Sequence, residues 1–98
     1  MPGDDDAHSA RLRKLIFRAS RRGFLEADLI LGPFARTHVH ELDAEQLDEF
    51  ERLLDVADQD LYGWIVGLKE CPANWETPLM QRLRAFRLEA FAARTASA

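Results

Sequence analysis

Apolar residues recur at three- and four-residue spacing from Leu12 to Ala90, the period of a helix face rather than the two-residue alternation of a strand. The first stripe is Leu12, Leu15, Ile16 and Ala19, with Ser9 as its N-cap and a helix running to about Arg22. A second pattern starts near Phe24 and carries Leu25, Leu29, Phe34 and Val39 on or near one face. Gly32-Pro33 interrupts it, which predicts a kink or a short break with Pro33 restarting the helix. Asp43 opens the third helix, and Gln46 completes a capping-box pair ahead of Leu47, Phe50, Leu53 and Leu54. The fourth starts at Asp58 as N-cap, with Leu61, Trp64, Ile65 and Leu68 as its inner face. Gly63 and Gly67, one turn apart, predict a groove for close backbone approach. Residues 70–76 read as a loop, Thr77-Pro78 as an N-cap with proline at the first helical position, and Leu79, Leu83, Phe86 and Ala90 as the last inward stripe.

This pattern predicts an all-α fold, a small single-domain bundle of about five helices. The helical domain is expected to span 1–98, with 1–8 as a flexible N-terminus and 92–98 as a fraying tail. The expected core is Leu15, Leu29, Phe34, Leu47, Phe50, Leu54, Leu61, Trp64, Ile65, Leu83 and Phe86. Trp75, in the loop, is left without an assigned place, packing over the bundle end being one option.

The chain has 98 residues, 47% hydrophobic and 31% charged, as expected of a soluble globular domain. It contains no apolar run of membrane-spanning length, so direct membrane insertion is not expected. The acidic start, Met1 to His8, lacks the apolar stretch of a secretory signal, and a cytoplasmic location is the simplest expectation. Cys71 is the only cysteine and is expected to be a free, structurally neutral thiol. The net charge of −4 conceals an asymmetry. Arg11, Arg13, Lys14, Arg18, Arg21 and Arg22 crowd the first helix, whereas Glu41 to Asp60 is strongly acidic.

Candidate chemistry is sparse. His38, His40 and Glu41 suggest a metal only weakly, since neighbours two apart on a helix diverge and a further ligand pair is missing. His38 is expected to border the core or an interaction face. There is no glycine-rich phosphate loop, nucleophile elbow or Cys-x-x-Cys pair, so no catalytic residue is assigned. Tyr62 and Trp64 are of the types that stack on cofactors, but helical spacing sends Trp64 to the core and leaves Tyr62 for the surface.

The informative stretch is Arg21-Arg22-Gly23-Phe24-Leu25-Glu26-Ala27-Asp28-Leu29-Ile30-Leu31. The arginines suit the negative end of one helix, Gly23 a left-handed cap, and Glu26 and Asp28 the positive start of the next. One reading is a helix boundary and nothing more. The other is a recognition corner that presents opposite charges around a glycine.

That string, with Phe34, His38, Leu42, Glu45, Phe50, Leu53-Leu54 and Asp58 to Trp64, resembles the succinate dehydrogenase flavinylation factor family, also called succinate dehydrogenase assembly factor 2. The likeness covers about Leu15 to Leu68. It implies a small five-helix protein that binds the flavoprotein subunit of succinate dehydrogenase, and in some members that of fumarate reductase, and promotes covalent attachment of FAD to a histidine there. Arg22, Gly23 and Glu26 fall on the family's R-G-x-x-E motif, with Asp28 on the acid that usually follows. Phe24 stands where methionine is common, and Ala27 where a larger apolar residue is common. The expected partner-binding set is therefore Arg21, Arg22, Gly23, Phe24, Glu26, Asp28, His38 and Tyr62. FAD is expected to belong to the partner, with none bound stably here, and the chain to be a monomeric chaperone rather than an enzyme. A nucleic-acid-binding helix-turn-helix is disfavoured by the acidic total. A regulatory or antitoxin-like helical adaptor, docking another protein through the same corner, is the alternative.

Overall fold

Asp43 and Gln46 satisfy each other's backbone N–H groups, and this capping box fixes where the third helix begins. In the computed structural model, which describes residues 2–97 and side chains within 7–89, the order is α1 (Pro2–Ser20), α2 (Leu25–His38), α3 (Ala44–Leu53), α4 (Asp58–Val66) and α5 (Pro78–Ser97). Short 3-10 turns occupy Val39–Glu41 and Ala73–Trp75. Among the described residues there is no strand. The Thr77 hydroxyl accepts from the Met80 backbone N–H at 3.2 Å, so Thr77-Pro78 starts α5 as its sequence predicts.

One core joins all five helices: Leu12, Leu15 and Ala19 from α1, Ala27, Leu31, Phe34 and Ala35 from α2, Leu47, Phe50 and Leu53 from α3, Leu61 and Ile65 from α4, and Leu79, Met80 and Leu83 from α5. At its centre the Phe34 ring lies 5.8 Å from Phe50 and 5.7 Å from Phe86, the latter edge-on, a geometry that suits aromatic quadrupoles. Trp64 and Trp75 stack at 6.2 Å over one end. Cys71 is a free, half-buried thiol there, and burial raises its pKa.

Several expectations are corrected. α1 begins at Pro2, so Ser9 lies inside the helix rather than capping it, and α1 ends at Ser20, before Arg22. α2 passes through Pro33 as one helix. The bond that proline removes would have reached the Leu29 carbonyl, on a residue whose side chain faces solvent. Leu29 is 51% exposed and Leu25 68%, because α2 turns its Ala27-Leu31-Phe34-Ala35 row inward. Two apolar rows compete on this helix, and the one with alanines permits closer packing. Trp64 and Phe86 pack at the core's edge, partly buried. α4 stops at Val66 because Gly67 takes a left-handed φ of 88°, which throws Leu68 outward to 77% exposure. The expected Gly63/Gly67 groove is absent: the Lys69 stem covers Gly63, and Gly67 is the cap. α5 runs to Ser97, and Met1, Ala98 and the Ala90 side chain lie outside the described residues.

The sequence's charge asymmetry becomes contact between helices. Arg11 of α1 pairs with Asp48 and Glu51 of α3, each at 2.6 Å, and Arg18 with Asp55 at 2.6 Å.

Candidate functional site

The α1–α2 corner is built by two inward-facing charges. Past Ser20 the chain turns through Gly23, at φ 83°, a conformation in which a Cβ costs roughly 1–2 kcal/mol. The Asp28 carboxylate, in the opening turns of α2, accepts the Arg22 backbone N–H at 2.9 Å and ties the turn to the helix start. The Arg22 guanidinium is 8% exposed and spreads across the α3–α4 link. Its Nε donates to Asp58 Oδ1 at 2.5 Å, Nη1 to the Leu54 carbonyl at 2.6 Å and Nη2 to the Val56 carbonyl at 2.5 Å. Only a planar fork of donors can satisfy three acceptors so arranged. Asp58, expected as an N-cap, is instead the first residue of α4, with Ala57 as the cap.

Gly23, Glu26 and Arg21 face outward. Gly23 is exposed, and a Cβ built on it would meet nothing within 4 Å. Glu26, in the first turn of α2, is exposed and has no hydrogen-bond or ion-pair partner among the described residues. Arg21 is exposed, its guanidinium 4.8 Å above the Phe17 ring, a cation–π contact. Phe24 and Tyr62 of α4 are half-buried, ring centroids 5.4 Å apart, and anchor the corner to the bundle.

Of the residues the sequence singles out, Arg21, Arg22, Gly23, Phe24, Glu26, Asp28 and Tyr62 therefore meet at one corner. Arg22 and Asp28 do so as scaffold, with their polar groups turned into the fold. His38 stands apart, at the far end of α2 and about 20 Å along the helix axis. It packs on Phe34 at 5.2 Å and Phe86 at 5.5 Å and bonds Glu41 at 2.9 Å. That contact, followed by Arg82, holds the Glu41 carboxyl below its ordinary value. Asp58 and Phe17 are the residues the sequence conceals: Asp58 reads as a cap, and its partner is 36 positions away. Phe17 lies off the Leu12-Leu15-Ile16-Ala19 stripe, which is the one signal of its exposure.

A corner with a rigid interior, an uncovered glycine and an unpaired carboxylate is suited to receiving another surface. The family model described as flavinator of succinate dehydrogenase matches residues 13–87, from α1 into α5 and across the whole corner. The chain belongs to this family. Its relatives include succinate dehydrogenase assembly factor 2, mitochondrial, of Cryptococcus neoformans, 41% identical over 81 residues that make up 82% of this chain and 46% of the relative. The protein of the same name from Mycosarcoma maydis is 41% identical over 76 residues, 76% of this chain and 32% of the relative. FAD assembly factor SdhE of Acetobacter pasteurianus is 34% identical over 79 residues, 81% of this chain and 72% of the relative. The chain thus spans less than half of the two mitochondrial relatives. What it shares with the flavinator family is the sequence from residue 13 to residue 87, which includes the corner.

Proposed function

We propose that this protein is an assembly factor that docks on the flavoprotein subunit of succinate dehydrogenase and promotes covalent attachment of FAD to it. The observation that carries this reading is the division of labour in the R-G-x-x-E motif. Arg22 is consumed inside the fold, and it thereby holds Gly23 and Glu26 at the surface with nothing covering them. A partner's backbone can approach Gly23 closely, and Glu26 can accept a charge-assisted hydrogen bond from a partner's donor.

The protein acts as a chaperone and not as a catalyst. The corner has no nucleophile beside a base, and its glycine turn opens onto bulk space rather than onto a cavity that would enclose a flavin's pyrophosphate. FAD and the chemistry of its attachment belong to the partner, which supplies the histidine. This protein stabilises the attachment-competent arrangement of the flavoprotein, by no more than its preference for that arrangement over others. The flavoprotein subunit of fumarate reductase is a second client of the same kind. No helix among the described residues is long and apolar enough to cross a membrane.

The test is in-gel flavin fluorescence of the denatured flavoprotein subunit after incubation with FAD, with and without this protein. Covalent fluorescence that rises several-fold with the protein supports the reading. Equal fluorescence in both lanes sinks it.

A further inference from the structure

The cations of α1 and of the turn that follows it fall into two groups with different fates. Arg11 reaches across to carboxylates of α3, and Arg18 to Asp55 in the link between α3 and α4. Arg13 and Lys14 are exposed and have no carboxylate partner among the described residues, and Arg21 is held over the Phe17 ring instead of by an acid. The chain carries 17 acidic against 13 basic side chains, so acids are abundant, yet among the described residues this row has no carboxylate partner. Phe17, at its centre, is 59% exposed.

Two adjoining depressions follow the row. One, of about 320 Å³, is lined by Phe17, Arg18, Arg21, Arg22, Leu54 and Asp58 and reaches the corner. The other, of about 470 Å³, lies along Ala10, Arg13, Lys14, Phe17 and Arg18. They share Phe17 and Arg18, so together they make a trough that runs from the middle of α1 to Gly23's turn.

We infer that this trough receives an acidic, extended segment of the flavoprotein, with an apolar side chain of that segment set against Phe17; the inference rests on the docking role proposed above. Charge complementarity argues for it: Arg13, Lys14 and Arg21 offer donors to carboxylates, while Phe17 supplies the apolar contact between them. Continuity with the corner argues that both surfaces serve the same partner. An anionic membrane fits less well, because a molecule of net charge −4 is repelled from it and Phe17, already covered on one side by Arg21, is a single apolar anchor. The trough adds steering and register to a contact whose specificity lies at Gly23 and Glu26.

The experiment titrates the flavoprotein subunit with the wild-type protein, Arg13→Glu/Lys14→Glu, Arg13→Gln/Lys14→Gln, Phe17→Ala and Glu26→Ala, at about 50 mM and about 500 mM salt, where screening differs strongly. Arg13 and Lys14 have no partner to lose in the described fold, and thermal melts verify that the variants remain folded. The expected result is about tenfold weaker binding for the charge reversal at low salt, an intermediate loss for the glutamine pair, and convergence on wild type at high salt. Phe17→Ala is expected to bind more weakly at both salts. Wild-type affinity and salt dependence in the charge reversal, with Glu26→Ala still impaired, would overturn the trough and leave the corner standing. Failure of the wild-type protein itself to bind would overturn the functional reading along with it. Sedimentation with phosphatidylcholine vesicles containing phosphatidylserine, lost on charge reversal while flavoprotein affinity is unchanged, would assign the trough to lipid and overturn the inference.

Discussion

Arg22→Ala is the perturbation that separates scaffold from contact. The wild-type guanidinium gives one bond to a carboxylate and two to main-chain carbonyls of the link between α3 and α4. Hydrogen bonds involving a charged group contribute about 1.5–3 kcal/mol each when they are deleted singly. The three are not independent, and water can reach Asp58, whose side chain is partly exposed, once the arginine is gone. A net loss of about 3 kcal/mol follows, a large share of the total stability of a domain this small. Arg22→Lys keeps the charge but cannot span three acceptors, and should lose about 1–2 kcal/mol. Urea unfolding followed by circular dichroism measures both, and a double-mutant cycle with Asp58→Ala should return a coupling of about 1–2 kcal/mol. If Arg22→Ala unfolds within about 0.5 kcal/mol of wild type and yet fails to bind the flavoprotein, then Arg22 is a partner contact and the scaffold argument is wrong.

Phe50→Ala removes a fully buried ring that packs on Phe34, and urea unfolding should show a loss of about 3–5 kcal/mol; an unchanged midpoint would contradict the core. Gly23→Ala meets no atom within 4 Å, so its penalty is backbone strain alone, about 1–2 kcal/mol in a thermal melt, and any loss of flavoprotein binding beyond that reports contact at the corner. Glu41, lowered by His38 and then Arg82, and Glu76, lowered chiefly by Arg84, have folded-state pKa values below the ordinary 4.5. Their contribution is therefore present above about 4.5 and disappears as pH falls through the folded values, so the stability gap between wild type and Glu41→Gln should close on acidification in urea melts; a gap that widens would reverse the sign.

Much of this architecture is legible in local chemistry. The Asp43–Gln46 box, Thr77-Pro78 and the left-handed Gly23 each follow from side-chain or backbone demands within a few residues. The α2 face is misread because Leu25-Leu29 and Ala27-Leu31 are rival rows, and only packing against α1 decides between them. Leu68 is misassigned because helical spacing continues through Gly67, whereas the helix does not. At the corner, the residues that converge are visible from the motif and its resemblance, but their orientation is not. Arg22 reads as exposed by type and by its neighbours, and only the tertiary fold puts Asp58 and two free carbonyls within its reach. His38 belongs to the same expected set through the resemblance, and the length of α2 sets it far from the corner.

Glu26→Ala tests the central claim most directly, since Glu26 is exposed, unpartnered within the described fold and placed where the partner is proposed to sit. As a helix-dipole residue it contributes no more than about 1 kcal/mol to stability. As an interfacial charged acceptor it contributes roughly 2–5 kcal/mol to binding. The measurement is a calorimetric titration of the flavoprotein subunit with wild type and Glu26→Ala, paired with covalent flavin fluorescence and a thermal melt. A nearly unchanged melt, affinity reduced by at least about thirtyfold and diminished flavin attachment are predicted. A destabilised fold that binds the flavoprotein as tightly as wild type would contradict the account and reduce the motif to a helix boundary.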